Sequence, residues 1–245
     1  MSHNLIQDAL FSAKSVAELD RIAIEQRQIP SLVLMKRAGR SVLTELLETF
    51  GPPSLLSIFC GSGNNAGDGY IVAALAAAKN IQVQVIELSQ NLSQDASSAR
   101  NFAAEANVCF VPFDSSLSIE EGIIVDSLLG TGYLGNLSQP YGEAIQLIND
   151  SGLPLVAVDI PSGLNADTGH VAEVAVQADL TVTFIGAKQG LFTGQGPAFC
   201  GDIILDSLDV PADIYPEVPA SAELLNLSDL LDYLPRLAID GHKTQ

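Results

Sequence analysis

The spacing of apolar side chains changes character near residue 50. Upstream, the chain reads as helix: Val16, Leu19, Ile22, Ala23 and Ile24 recur at helical intervals until Pro30 interrupts them. Ser15 and Glu18 have the spacing of a capping box and place the start of that helix. A second helical pattern covers about 31–50, with Leu32, Met35, Leu43, Leu46 and Leu47 among its apolar positions. From residue 55 onward, short apolar runs alternate with helical patterns. Strands are predicted at 55–60, 83–88, 108–111, 123–129, 155–160, 180–185 and 203–205. Helices are predicted at 68–79, 93–107 and 141–149, with a closing pair of segments near 224–231. Ile123-Ile124-Val125 and Leu155-Val156-Ala157-Val158 are apolar on both faces, as central strands of a covered parallel sheet must be. This alternation predicts one three-layer α/β domain with right-handed crossovers. No repeat, low-complexity tract or linker divides the 245 residues.

Composition narrows the partners. A hydrophobic fraction of 47%, a charged fraction of 16% and a mean hydropathy of +0.29 describe an ordinary globular interior. Twenty-nine acids against eleven Lys and Arg give a net charge of −18, which repels nucleic acid and anionic lipid. Cys60, Cys109 and Cys200 form no Cys-x-x-Cys pair and read as reduced cytoplasmic thiols. The N-terminus shows no hydrophobic signal region, and no apolar stretch reaches the ~18 residues of a membrane span. The Asn-x-Ser sequons at Asn91, Asn136 and Asn226 have no consequence in that compartment.

In such sheets ligands bind at the carboxyl ends of strands, and four of those ends carry unusual residues. Gly61-Ser62-Gly63-Asn64-Asn65-Ala66 fits G-x-G-x-x-A between a strand and a helix, and the next strand ends in Glu87. Glycines let the backbone approach a phosphate, and the helix start offers free N–H groups. Asp68 stands where a Walker loop needs lysine. A tight strand–helix turn without a ligand is the competing reading, and the amides and carboxylate packed into the turn count against it. The second strand end carries Asp126 and then Gly130-Thr131-Gly132-Tyr133-Leu134-Gly135-Asn136, either a flexible surface loop or a close backbone approach to a ligand. A carboxylate at the end of an apolar strand wants a cation or several donors.

Asp159 ends a third strand, before Pro161, Ser162 and Gly163. It is either a turn cap or a general base on a rigid mount. Lys188 is the only Lys or Arg between Arg100 and Arg236, among nineteen acids. It suits a phosphate clamp or an orienter of Asp159, or else is a solitary surface lysine. As a surface group, its replacement by alanine should change stability by about 0.5 kcal/mol at most. His-Glu-x-x-His and Gly-x-Ser-x-Gly motifs are absent, and His3, His170 and His242 are scattered. Asn65, Asp126 and Ser162 offer the oxygen atoms a hard cation prefers.

Gly-x-Gly-Asn-Asn-x-Gly-Asp-Gly, Val-Asp-Ser-Leu-Leu-Gly-Thr-Gly, Val-Asp-Ile-Pro-Ser-Gly-Leu-Asn and a late Lys-x-Gly follow in order. Together they resemble the NAD(P)H-hydrate epimerase family, from the N-terminal helices to about Val210. The resemblance implies a Rossmann-like α/β/α sandwich with a mainly parallel sheet and N-terminal helices, forming a homodimer. It implies interconversion of the R and S forms of hydrated NADH and NADPH (NADHX and NADPHX), which an ATP- or ADP-dependent dehydratase then restores. Carried over by motif, Asn64, Asn65, Ala66, Gly67 and Asp68, the loop from Gly130 to Asn136, and Asp159 line the substrate site. Asn65, Asp126 and Ser162 hold K+, and Asp159 with Lys188 performs the chemistry. Ala66 stands where the family commonly has glycine, and its methyl is tolerable if φ is negative. The ending Asp240-Gly241-His242-Lys243-Thr244-Gln245 looks like the opening of a dehydratase domain, with 236–245 as its start, or else a frayed terminus.

The hydrate is a hemiaminal, with a hydroxyl on C6 beside ring nitrogen N1. Epimerisation breaks and remakes the C6–OH bond or the ring C–N bond without moving electrons to an acceptor, and a carboxylate can shuttle the proton. Two rivals remain. An NAD(P)-dependent oxidoreductase is suggested by the glycine turn with Glu87. A binding module without turnover is suggested by Ala66 and opposed by Asp159 together with Lys188.

Overall fold

Strand β1 (Ala9–Phe11) leads into helices α1 (Ala13–Arg21) and α2 (Ser31–Phe50) in a computed structural model that describes residues 8–133 and 137–225. The cap of α1 differs from the expected box. Ser12 Oγ accepts from the Ser15 N–H at 3.1 Å, so Ser15 lies inside the first turn, and Glu18 pairs with Arg21 instead. The chain continues through a π-turn at Ile22–Gln26 and turns at Pro30 into α2.

Strand–helix alternation then follows: β2 (Leu56–Cys60), α3 (Asn64–Ala78), β3 (Val83–Glu87), α4 (Gln94–Glu105), β4 (Cys109–Pro112), β5 (Ile123–Ser127), α5 (Gln139–Asp150), β6 (Leu155–Val158) and β7 (Leu180–Phe184). β8 (Ala187–Lys188), the single turn α6 (Gln189–Phe192), β9 (Asp202–Asp206) and β10 (Ala222–Glu223) complete the described order. The main sheet is wholly parallel, in the order β4-β3-β2-β5-β6-β7-β9. Every residue of β2, β5, β6 and β7 is buried, which explains their two-sided apolar sequences.

One core lies between the sheet and α1–α4, built on residues such as Leu19, Leu46, Tyr70, Ile71 and Val125. The other lies under α5, around Phe59, Ile124, Ile145 and Ile148. Helix α3 starts four residues earlier than expected. Ten of its fifteen residues are buried, on more than one side of the helix, so no amphipathic stripe marks its first turn. A side chain at Gly69 would lie 2.5 Å from Ser127 Oγ, so α3 sits on the sheet only because that position is bare.

β10, β1 and β8 form a small second sheet, with β1 parallel to β8 and antiparallel to β10. Strands of two or three residues leave no periodicity to read. The expected closing segments near 224–231 and the tail from 236 lie almost wholly outside the described residues. The strand order reverses between β2 and β5, and at that switch point the loops after the two strands part to leave a crevice.

Candidate active site

The turn after β2 lies on one side of the crevice. A Cβ on Gly61 would sit 2.0 Å from the Leu128 carbonyl, so only glycine lets the two loops pass, whereas Gly63 meets nothing and faces open space. Gly63 is also the N-cap of α3 and has no side chain to cap it, leaving the first N–H groups of a fifteen-residue helix for a ligand. Asn64 and Asp68 line the resulting cavity. Ala66 and Gly67 are buried behind it: the Ala66 methyl belongs to the α-helical core, and Gly67 packs against Met35. Ala66 is not among the residues with positive φ, so its methyl does not crowd the turn.

Glu87, the acid expected to read a ribose in an oxidoreductase, is already committed. Its carboxylate accepts from Tyr70 Oη at 2.8 Å and from Arg100 Nε and Nη2 at 2.6 and 3.0 Å. That arrangement speaks against the dinucleotide-oxidoreductase reading.

Opposite the glycine turn, the chain bends sharply twice. Asp159, just past β6, has φ 68°, and Ile185, just past β7, has φ 61°. The second is costly for a β-branched residue. It is held by hydrogen bonds from Ile185 N to Asp206 O (2.8 Å) and from Tyr215 Oη to Ile185 O (2.7 Å). The bend carries the chain from the main sheet into β8, where Phe11 of β1 pairs with Lys188. Lys188 Nζ thereby turns back onto Asp159, donating to its Oδ1, to Thr183 Oγ1 (3.0 Å) and to Phe184 O (3.1 Å). Thr183 Oγ1 and Phe184 N also donate to Asp159 Oδ1, each at 3.3 Å. Lys188 is therefore no surface lysine: its side chain is 1% exposed, against 17% for Asp159. The expectation that its loss would leave stability nearly unchanged is withdrawn for that reason.

Asp126 at the end of β5 is fully buried and forms no ion pair among the described residues. Its Oδ1 accepts from Leu128 N (3.2 Å) and Ser162 Oγ (2.6 Å), and its Oδ2 from Ser162 N (2.8 Å). Burial still pushes its carboxyl up to about 6, against the pull of these donors. Asn65 joins the same network by donating from Nδ2 to Leu129 O at 3.0 Å, while Leu129 N donates to Ser162 Oγ at 2.9 Å. Asn65 Oδ1 is buried and has no hydrogen-bond partner among the described residues. An orphaned amide oxygen, a buried carboxylate without an ion-pair partner and a hydroxyl, linked through Leu129, offer the oxygen donors a hard cation prefers. No cluster of three His, Cys, Asp or Glu exists among the described residues.

The cavity measures about 780 Å³, ample for a large small-molecule ligand. The structure brings together Asn64, Asn65, Asp68, Gly130, Thr131, Gly132, Tyr133, Asp159 and Lys188 on its wall. Leu134, Gly135 and Asn136 lie outside the described residues. Tyr133 Oη is buried without a partner among the described residues, a second polar group left for a ligand. Sequence reading missed one wall: Val16, Asp20 and Ile24 of the N-terminal helical segment also line the cavity. Asp20 is a charge one turn from each of two apolar residues on the helix's buried stripe, and that position was the available signal.

A switch-point crevice with a bare helix start on one side and a buried Lys–Asp pair on the other defines an α/β protein of the Rossmann-like class. The model of the "YjeF-related protein N-terminus" family matches residues 31–190, and the chain belongs to that family. It is 37% identical to the bifunctional NAD(P)H-hydrate repair enzyme Nnr of Coxiella burnetii over 236 residues, covering 96% of this chain and 48% of that protein. It is 36% identical to the NAD(P)H-hydrate epimerase of Limosilactobacillus fermentum, covering 82% of this chain and 97% of that one. The crystal structure of yeast ynu0 (YNL200c) superposes with a TM-score of 0.71 over 89% of this chain and 95% of its own, at 18% identity, a likeness of fold. The chain thus spans about half the length of the bifunctional relative and nearly all of the stand-alone one.

Proposed function

We propose that this chain is an NAD(P)H-hydrate epimerase, an isomerase that interconverts the R and S forms of NADHX and NADPHX in nicotinamide cofactor repair. The observation that carries this reading is the buried Lys188–Asp159 pair opening into a cavity whose other wall is the uncapped start of α3. The dinucleotide phosphates lie against the N–H groups at Asn64 and Asn65, and the hydrated ring reaches Asp159. Asp159 accepts a proton from the oxygen that adds at C6, while Lys188, locked by Thr183 and the Phe184 carbonyl, fixes the carboxylate's direction. Potassium held by Asn65, Asp126 and Ser162 would neutralise the buried carboxylate and brace the loop at Gly130; it takes no part in proton transfer.

The bifunctional relatives support coupling to a dehydratase, on the same chain or another. A cytoplasmic homodimer completes the reading. Among the described residues no helix is long and apolar enough to cross a membrane. The test supplies purified R-NADHX and follows the S epimer by chromatography. Formation well above the spontaneous rate supports the reading, and a rate equal to background removes it in favour of a binding module.

A further inference from the structure

An epimerisation through C–O cleavage needs two proton-handling groups. One gives a proton to the departing hydroxyl, and the other takes one from the water arriving on the opposite face. Asp159, fixed by Lys188, supplies the acceptor. The epimerase reading above leaves the donor unassigned. We propose that Asp20 is that donor, an acid on the N-terminal helix that faces the Asp159–Lys188 pair within the same cavity; this rests on the epimerase reading above.

Geometry selects Asp20. It lies between Val16 and Ile24, all three lining the cavity, and its carboxyl takes no hydrogen bond and makes no ion pair with any described residue. The charged groups around it are Lys188 on β8, Asp159 after β6 and Asp68 on α3, and Asp95 of α4 lines the same cavity. The α2 side chains on the same wall, Leu34, Met35 and Ala38, carry no charge. Three carboxyls therefore share one ammonium, and Thr183, Phe184 and Asp159 already hold that ammonium. A partly desolvated cavity does not keep all three ionised, so it retains protons. Burial is the main cause for both free acids, with the neighbouring carboxylates adding to it. Asp20 is pushed up to about 6, and Asp68 well above the ordinary carboxyl range. A general acid works best when it gives up its proton near the working pH, which favours Asp20 over the more tightly protonated Asp68.

The step balances. The Asp20 carboxyl gives its proton to the C6 hydroxyl; the C6–O bond breaks, water leaves, and the N1 lone pair forms the C6=N1 iminium. Water then adds to the other face, and its proton passes to Asp159. The return reaction uses the two carboxyls in exchanged roles, and exchange with solvent through the cavity mouth resets them.

The test compares wild type, Asp20→Asn and Asp20→Glu, each with R-NADHX across pH 5–9. It adds a carbon-13 NMR titration of the Asp20 carboxyl in the unliganded protein. The proposal expects an Asp20 midpoint near pH 6. Asp20→Asn should lose kcat by on the order of 10²–10³, with KM little changed, and should lose the alkaline limb near pH 6. Asp20→Glu should restore part of the rate and the limb. Asp20→Asn should also melt no lower than wild type at pH 7, whereas a merely structural Asp20 would melt lower when replaced. A midpoint below about 4.5, or wild-type kcat in Asp20→Asn, overturns the proposal. Inert wild type instead overturns the epimerase reading, and the NMR titration still decides whether Asp20 holds a proton.

Discussion

Removing the Lys188 ammonium should destabilise the fold as well as stop turnover, and the size of that loss follows from what the side chain touches. Lys188 is 1% exposed, and its Nζ serves Asp159, Thr183 and the Phe184 carbonyl. Lys188→Met keeps most of the stem's volume, so the cavity contribution is small and the lost charge dominates. Breaking a buried pair by deleting one partner costs about 3–5 kcal/mol, because the other charge is left without compensation. Asp159 retains 17% exposure and some water, which lowers the expectation to about 2–4 kcal/mol. For a chain of this size that corresponds to a Tm drop on the order of 10 °C. Urea denaturation at pH 7 measures the loss, and a double-mutant cycle with Asp159→Asn measures the coupling. The cycle should return at least about 1 kcal/mol, since removing both partners leaves no orphaned charge. A loss within about 0.5 kcal/mol, typical of surface substitutions, would refute the argument that the pair is buried and mutually dependent.

Potassium should raise the Tm of wild-type protein in the presence of hydrate, and Asp126→Ala should abolish that response; an identical response in both proteins removes the cation from Asn65, Asp126 and Ser162. Asp20 carries a stability consequence whose sign is opposite to that of an ion-paired acid. Its folded pKa is raised from 3.8 to about 6, so its contribution to stability is full below about pH 4 and is lost as pH rises through about 6. Asp20→Asn should therefore be about 1–3 kcal/mol more stable than wild type at pH 7, with the gain gone near pH 4 in thermal melts. A variant less stable than wild type at pH 7 contradicts this. Asp159→Asn should bind hydrate with an affinity close to wild type, read by calorimetry, while losing roughly 10²–10⁴ of its rate.

Much of the fold was written in two-sided apolar runs. β2, β5, β6 and β7 read as central strands because both of their faces are covered, and each lies where its run predicted within one or two residues. The start of α3 was harder to read, because burial on more than one side erases the stripe that periodicity detects. The small sheet was invisible because Ala187 and Lys188 pair with Leu10 and Phe11 across the length of the chain. That distant pairing also explains why Lys188 looked exposed: its burial comes from β1 and from the bend at Ile185, and nothing in its neighbours announces either. Asp126, Asp159 and the glycine turn were legible because acids and glycines at strand ends violate the local pattern. Asp20 violates its pattern too, as a charge on an apolar helix stripe, but the sequence does not say which strand end that stripe will cover.

The most direct test of the central claim starts from each epimer separately. Wild-type protein and Asp159→Asn are incubated with pure R-NADHX and, in parallel, with pure S-NADHX, without ATP or ADP, and the epimers are separated by chromatography over time. The account predicts that wild type brings both samples rapidly to the same R:S ratio with no change in total hydrate, while Asp159→Asn barely exceeds the spontaneous rate. Approach to that ratio at the background rate in wild type, or loss of total hydrate in its place, would contradict it.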